Sequence, residues 1–327
     1  MTIHVVSPGL LSTVQDLGRH GYTDLGVGTA GAMDRACLRL ANMLVGNDDG
    51  DAAIEITLRG PRLRFASNAL IALSGACIEM RCNGKPIPMW RPVQIRAGSE
   101  IESGAMTSGS RAYLAVRGGF AFAPVLGSRS VDVNSNLGPC AGLALKAGDQ
   151  LPMSESAGTF NAAALDAPPW SIDPSHWFDE RGDQPIALIR GEHFGLLDVH
   201  SQNAVFEKQF VVGSQSNRVG YRLEGCRMKL SQPLELISEG TVPGTLQLPP
   251  GGEPIVLMAE APTTGGYPRI GHVAAVDLDR LAQRRPGQVI RFVEVSLRDA
   301  QTRYLQRERE LLALRRAVSG RLEKWLP

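Results

Sequence analysis

The sequence predicts a mainly β protein with a few helices, arranged as two β-rich subdomains. Three observations carry this. The chain has 327 residues, more than one ordinary core encloses, so two domains are the natural expectation. Glycine and proline number 36 and 21, and such punctuation favours short strands joined by turns. Short apolar runs broken by Gly, Pro, Asn or Ser recur in two blocks, on either side of a stretch that lacks them.

In chain order, "TIHVV" (2–6) reads as a strand. "AGAMDRACLRLANMLVGN" holds the clearest helix of the first half, near 34–45. Ala36, Leu40, Met43 and Leu44 recur at three-to-four spacing, Gly46 ends the run and Asp34 stands where an N-cap belongs. From residue 52 the pattern turns to β: "AAIEITL", "RLRFA", "ALIALSG", "CIEMRCNG", "PVQIRAGSEIES" and "SRAYLAVRGG", with a hairpin turn at Asn83-Gly84. Residues 1–155 are thus expected to form one β-rich subdomain. Residues 156–184, rich in Pro, Ala, Ser and Asp, read as an irregular connection. Residues 185–300 form the second block: "IALIRG", "QFVVGSQSN", "YRLEG", "CRMKLS", "LELISEG", "GTLQLP" and "PIVLMAE". Residues 301–327 close the chain as a basic amphipathic helix carrying Leu305, Leu312 and Leu322.

Composition excludes several function classes. Basic and acidic residues balance at 34 and 33, which argues against a nucleic-acid or membrane-surface partner. Five cysteines without a Cys-x-x-Cys pair predict reduced thiols. The N-terminus lacks the pattern of a signal peptide and no apolar run is long enough to span a bilayer, so a cytoplasmic location is expected. There is no P-loop, no nucleophile elbow and no spaced metal-ligand cluster, so no metal is predicted. "RMKL" (227–230) lacks the residues that flank a biotin-attachment lysine, and Lys229 reads as a strand lysine without covalent biotin.

What remains is a set of dense polar-glycine stretches. Each is first a turn; together they offer backbone amides and charged side chains for a polar ligand. "TVQDLGRHGY", "GAMDRACLRLANMLVGN", "AIEITLRGPRLRF", "VLGSRS", "SNRVGYRLEG" and "TTGGYP", in this order, resemble the biotin-dependent carboxyltransferase family. That family takes in KipA, the C subunit of 5-oxoprolinase, the carboxyltransferase subdomains A and B of urea carboxylase, and sequences labelled allophanate hydrolase subunit 2. The resemblance runs from Val5 to Ala300 and implies that at least one subdomain is a cyclophilin-like barrel. It implies one component of an ATP-dependent, amide-activating hydrolase of the 5-oxoprolinase kind, working on a small lactam or urea-like amide. The implied partners are a KipI-like protein, similar to the B component of 5-oxoprolinase, and an A-type hydrolase component, with ATP bound through the complex. Three alternatives stay open: a KipA-like regulator of a KipI-like kinase inhibitor, the carboxyltransferase component of a urea-carboxylase-like system, and a stand-alone binding protein that keeps the fold and a pocket but no chemistry.

Urea, the biotin ureido ring and 5-oxoproline all place a planar N–H beside a C=O, so their site needs acceptors and donors. The expected acceptors, in catalytic roles, are Asp16, Asp34 and Glu239. The expected substrate-binding groups are Arg19, Arg129, Arg218, Thr264, Arg269, the amides at Gly265 and Gly266, and Tyr267 as a stacking surface. The competing readings are Asp34 as a helix cap, Arg19 and Arg129 in structural ion pairs, and Tyr267 as core filler. Departures from the family pattern fall at Ala30, Leu143, Ala261, Pro262 and Arg269. They remove two cationic side chains and alter a third, which points to a different ligand or to lost catalysis.

Overall fold

The structure, a computed structural model, describes residues 1–154, 165–234 and 236–326. Among them the chain is mainly β and divides into two compact units. The first comprises Met1–Arg19, Ala30–Glu180 and Leu311–Pro327, the second His20–Thr29 and Arg181–Glu310. No helix among the described residues is long and apolar enough to cross a membrane.

The first unit is built on nine strands: β1 (Thr2–Ser7), β2 (Leu11–Gln15), β3 (Ala53–Thr57), β4 (Arg62–Phe65), β5 (Ala69–Cys82), β6 (Lys85–Pro86), β7 (Pro92–Ile95), β8 (Glu100–Val116) and β9 (Gln150–Pro152). Their order is β2-β3-β8-β4-β1-β9, with β5 also on β8, and β6 and β7 on β5. β8 runs for 17 residues. β5 lines one of its edges, while the other is shared between β4, at Glu100–Glu102, and β3, at Arg111–Leu114. One long strand serving three partners curls the sheet. The sequence suggested breaks inside both long strands, at Gly75 and Gly104. Instead β5 and β8 run through, and register shifts between Gly75 and Met80 absorb the misfit as bulges. At Asn83-Gly84 both residues have positive φ, 48° and 81°, as a two-residue hairpin requires.

The helix Arg35–Val45 packs on β5 and β8. Asp34 caps it by accepting from the Cys37 N–H at 2.9 Å, and Gly46 ends it at φ 77°. Leu38, Leu40 and Leu44 are fully buried, each contributing about 1.5–3 kcal/mol of apolar burial. Arg39 leaves the core to pair with Asp49 at 2.8 Å. Of the expected irregular connection, residues 156–164 lie outside the described residues. Beyond them Ile172, Trp177 and Phe178 join this same core, as do Leu311, Val318 and Leu322 of the long helix Leu297–Trp325.

The second unit carries β10 (Ile186–Arg190), β11 (Phe210–Val212), β12 (Gly220–Glu224), β13 (Glu239–Gly240), β14 (Thr245–Gln247), β15 (Ile255–Leu257), β16 (Thr264–Gly265), β17 (Arg269–Val273), β18 (Val289–Ile290) and β19 (Phe292–Glu294). Eight of them pair in the order β18-β11-β12-β15-β14-β17-β10-β19. The two end strands, β18 and β19, are separated in sequence by Arg291 alone, so the sheet has to curl until its edges nearly meet. The result is a nearly closed, cyclophilin-like barrel filled by Leu188, Phe210, Leu223, Leu246, Val256, Ile270 and Phe292. β13 and β16 form a separate two-stranded ribbon.

Three local expectations need correction. "CRMKLS" is not a strand, and Lys229 is not a strand lysine. The Met228 N–H donates to Gly252 O and the Lys229 N–H to Ser201 Oγ, so only an isolated bridge, Leu197 to Leu230, remains. Of "LELISEG", only Glu239–Gly240 is strand, and Glu235 lies outside the described residues. The helix Val199–Glu207, capped by Asp198 through the Ser201 N–H at 2.6 Å, was not foreseen.

Candidate functional site

Four of the eleven sequence-predicted site residues, Asp16, Asp34, Arg19 and Arg129, belong to the first unit, and the other seven to the second. Each unit gathers its own polar cluster on loops.

In the first unit the cluster is organised by Asp16, which follows β2. Its Oδ1 accepts from the Gly18 N–H at 2.8 Å, Ser128 Oγ at 2.7 Å and Ser130 Oγ at 2.5 Å, and its Oδ2 from the Arg129 N–H at 2.6 Å. Asp16 is thus a fully engaged acceptor that ties two loops lying more than a hundred residues apart. Ser128 and Ser130, which hold it, were not singled out in the sequence. Gly31, at φ 91°, lets its loop press on the first: a Cβ there would sit 2.8 Å from the Gly18 nitrogen. Arg129 turns its Nε to Phe122 O at 2.7 Å. Arg19 is fully buried, and its Nη2 donates to Ser130 O at 2.5 Å. The structural ion pair weighed for Arg19 is not formed with any described carboxylate.

Asp34 is buried as the helix cap. Its own N–H donates to Tyr113 Oη at 2.8 Å. Tyr113 donates in turn to Glu55 Oε2 at 2.7 Å, which also accepts from the Met33 N–H at 2.8 Å. Burial, reinforced by the charges of Glu55 and Asp34, pushes the Tyr113 phenol well above its usual range, so it stays protonated and donating. Glu55 and Tyr113 therefore fix the 30–34 loop to the sheet. The sequence hid them because each looks like an ordinary strand residue. A run of left-handed residues, Cys140 (φ 54°), Ala141 (58°) and Gly142 (72°), follows Gly138, where a Cβ would stand 2.4 Å from Ser130 O. The non-glycine members cost about 1–2 kcal/mol each. Burial pushes the Cys140 thiol up to about 11, which leaves it unreactive at neutral pH. Leu143, one of the family departures, is exposed next to this turn.

In the second unit, β13 and β16 bring Glu239 opposite Gly265 and Gly240 opposite Thr264. Arg269, at the start of β17, reaches this ribbon. Its guanidinium pairs with Glu239 and with Glu192 (2.8 Å), and its Nη1 donates to Gly240 O at 3.3 Å. The Arg269 N–H donates to His193 Nδ1 at 3.1 Å, so the proton of the neutral imidazole sits on Nε2. Tyr267 is 46% exposed and is not core filler. Gly265 approaches the buried side chain of Gln247: a Cβ there would lie 2.6 Å from Nε2, an atom without a hydrogen-bond partner among the described residues. His272, opposite Thr245, is pushed down in pKa by burial. Arg218 forms a buried ion pair with Glu260 at 2.6 Å. Glu192, His193, Gln247 and Glu260 were missed. The signal available for Glu192 and His193 was a Gly-Glu-His turn directly after an apolar strand. None of the predicted residues lines the open cleft of about 350 Å³ between Arg181–Gln184 and Gln288–Arg291.

A curled sheet and a nearly closed barrel, each with its own loop-borne polar cluster, define a two-unit β domain of the carboxyltransferase type. Known proteins agree with this. The family model described as carboxyltransferase domain, subdomain A and B, matches residues 25–294, and the chain belongs to that family. It is 38% identical to the C subunit of 5-oxoprolinase from Escherichia coli (strain K12), over 91% of this chain and 93% of the relative. It is 36% identical to the Haemophilus influenzae protein of the same name, over 94% and 96%. Among solved structures it resembles the K. lactis urea amidolyase with a TM-score of 0.87 and 31% identity. That likeness covers 95% of this chain but spans a fifth (20%) of the other.

Proposed function

We propose that this chain is the C-type component of a 5-oxoprolinase-like enzyme. With a KipI-like (B-type) partner and an A-type hydrolase, it activates a small lactam at the expense of ATP, which binds through the complex. The observation that carries this reading is the end-to-end match: the two 5-oxoprolinase relatives align over more than nine-tenths of their own length and of this chain. The ribbon cluster supports it chemically. A lactam needs an acceptor for its N–H and donors for its C=O. Glu239, Arg269, the Gly265–Gly266 backbone and the buried Gln247 amide supply both kinds within one loop region. Asp16 and Asp34, already committed to N–H and O–H donors, act in this scheme by holding loops rather than by touching substrate. No covalent biotin and no resident metal enter the scheme.

The test is ATP turnover by this chain co-purified with its KipI-like and A-type partners. Turnover that depends on 5-oxoproline, and falls at least tenfold in Arg269→Ala, is expected. Turnover indifferent to 5-oxoproline overturns the reading. The structural likeness to urea amidolyase favours a second reading, a carboxyltransferase acting on urea, because urea offers the same N–H and C=O pair. Substituting urea for 5-oxoproline in the same assay separates the two.

A further inference from the structure

We propose that the open cleft of the second unit binds a phosphate group, either the free ion or the phosphoryl end of a larger molecule. The cleft measures about 350 Å³, and the residues that line it all lie between Arg181 and Arg291, inside that unit. Sites for small molecules span about 300–1,000 Å³, so the space suffices. Two of the lining residues, Arg181 and Arg291, are exposed arginines whose guanidinium groups make no ion pair or hydrogen bond with any described residue. Elsewhere in the same unit Arg190, Arg227 and Arg269 lie against carboxylates. Asp183 is the one acid among the described residues lining the cleft, and it pairs with neither arginine. Two cations against one anion leave the cleft positive, and a concave surface concentrates such a field.

The walls are fixed before any ligand arrives. On one side Gly182 has φ 68°, and a Cβ there would collide with Nη1 of the buried Arg284, so the backbone lies directly on that guanidinium. Nη2 of Arg284 donates to the Gln184 carbonyl at 3.0 Å and holds the segment down. On the other side the Arg285 N–H donates to Gln288 Oε1 at 2.7 Å, which fixes the amide and leaves its NH2 to donate. The Arg291 carbonyl accepts from the Ile186 N–H at 2.8 Å, which steadies the backbone that carries the second arginine. Donors held still lose little freedom on binding. The donor set then decides the ligand class. Two guanidinium forks and an amide come from two separate segments. A carboxylate presents its oxygens in one plane and is filled by one fork, whereas a phosphate presents oxygens on several sides and takes both. The cleft shares no residue with the ribbon cluster, so this proposal stands independently of the lactam reading.

The experiment titrates the full chain with sodium phosphate, pyrophosphate and acetate at constant ionic strength, by calorimetry and by shift in Tm. Phosphate or pyrophosphate should bind with a saturable heat and raise Tm, and acetate should do neither. Arg181→Gln and Arg291→Gln should each weaken binding by about tenfold, the effect of losing one charge-assisted hydrogen-bonding group. Both side chains are exposed and without partners among the described residues, so these variants should keep the wild-type Tm when no ligand is present. Asp183→Asn should tighten binding, because it removes the one repelling charge of the lining. Similar affinities for phosphate and pyrophosphate assign the site to the free ion, and a preference of about tenfold for pyrophosphate assigns it to linked phosphoryl groups; either supports the proposal. Absence of saturable binding by both overturns it. So does binding that survives both arginine changes, or an equal response to acetate. An Asp183→Asn variant that binds more weakly overturns it as well, because the ligand would then carry a cation for Asp183 to hold.

Discussion

The two polar clusters are built on opposite principles. In the first unit, Asp16 is buried and satisfied by four donors drawn from two distant loops, and Glu55, Tyr113 and Asp34 form a second buried network beside it. In the second unit, Arg269 joins two glutamates whose side chains are 71% and 57% exposed. Water competes for both glutamates in the second cluster and for almost none of the partners in the first. The first cluster therefore sets architecture, and its loss should appear as stability. The second can exchange partners at little cost, as a ligand-binding surface must, and its loss should appear as activity.

The largest expected effect breaks the first cluster. Asp16→Ala leaves two hydroxyls and two backbone N–H groups without their acceptor, and should cost roughly 4–6 kcal/mol in urea denaturation. Asp16→Asn, which keeps the shape but loses the charge and two acceptor sites, should cost about half as much. A loss below about 1 kcal/mol for Asp16→Ala would show that the two loops hold each other without it.

Next in size is the buried Arg218–Glu260 ion pair, which sharpens the comparison by putting first-cluster physics into the second unit. Arg218→Met should destabilise by about 3–5 kcal/mol because it removes the cation that faces the buried Glu260 carboxylate. The double change Arg218→Met with Glu260→Leu should recover most of that. If the single and double variants are equally unstable, packing rather than charge governs the site.

These cases also mark what the sequence made legible. Most strand runs, the helix Arg35–Val45 with its cap, and the Asn83-Gly84 turn follow from local periodicity and turn chemistry, and the structure holds them where expected; "CRMKLS" and most of "LELISEG" are the exceptions. Barrel closure was not legible from periodicity, because it depends on β18 and β19 finding β11 and β10 far away in sequence. The same limit hid the hub. "TVQDLGR" and "LGSRS" both stand out as polar-glycine stretches, but nothing local says that Asp16 meets Ser128 and Ser130. The helix Val199–Glu207 escaped because it buries few residues and has no strong apolar face. Glu55 and Tyr113 escaped because an alternating strand pattern does not distinguish a buried acid from an exposed one.

A smaller effect is tied to pH. Burial lowers the His272 pKa in the folded chain below its ordinary value of 6.5. The unfolded chain then binds the proton more readily, so stability present above about 6.5 is lost as pH falls through that value toward the folded pKa. His272→Gln should flatten the Tm–pH profile as pH falls below about 6.5. An unchanged slope would assign it to carboxylates instead.

The smallest effect on stability should accompany the largest on function. Arg269→Ala removes contacts to Glu192, Glu239 and Gly240, yet exposed pairs of this kind contribute about 0–1 kcal/mol. Denaturation midpoints should therefore barely move, while lactam-dependent turnover falls at least tenfold. Arg269→Lys should be milder, because the ammonium keeps the charge but cannot reach both carboxylates and the carbonyl with fixed geometry. Glu192→Gln and Glu239→Gln then divide the cluster. If Glu239 accepts the ligand N–H, its variant should lose turnover while the Glu192 variant keeps it. Equal and small losses in both would mean that the glutamates only screen the arginine, and the acceptor would have to be sought elsewhere in the second unit.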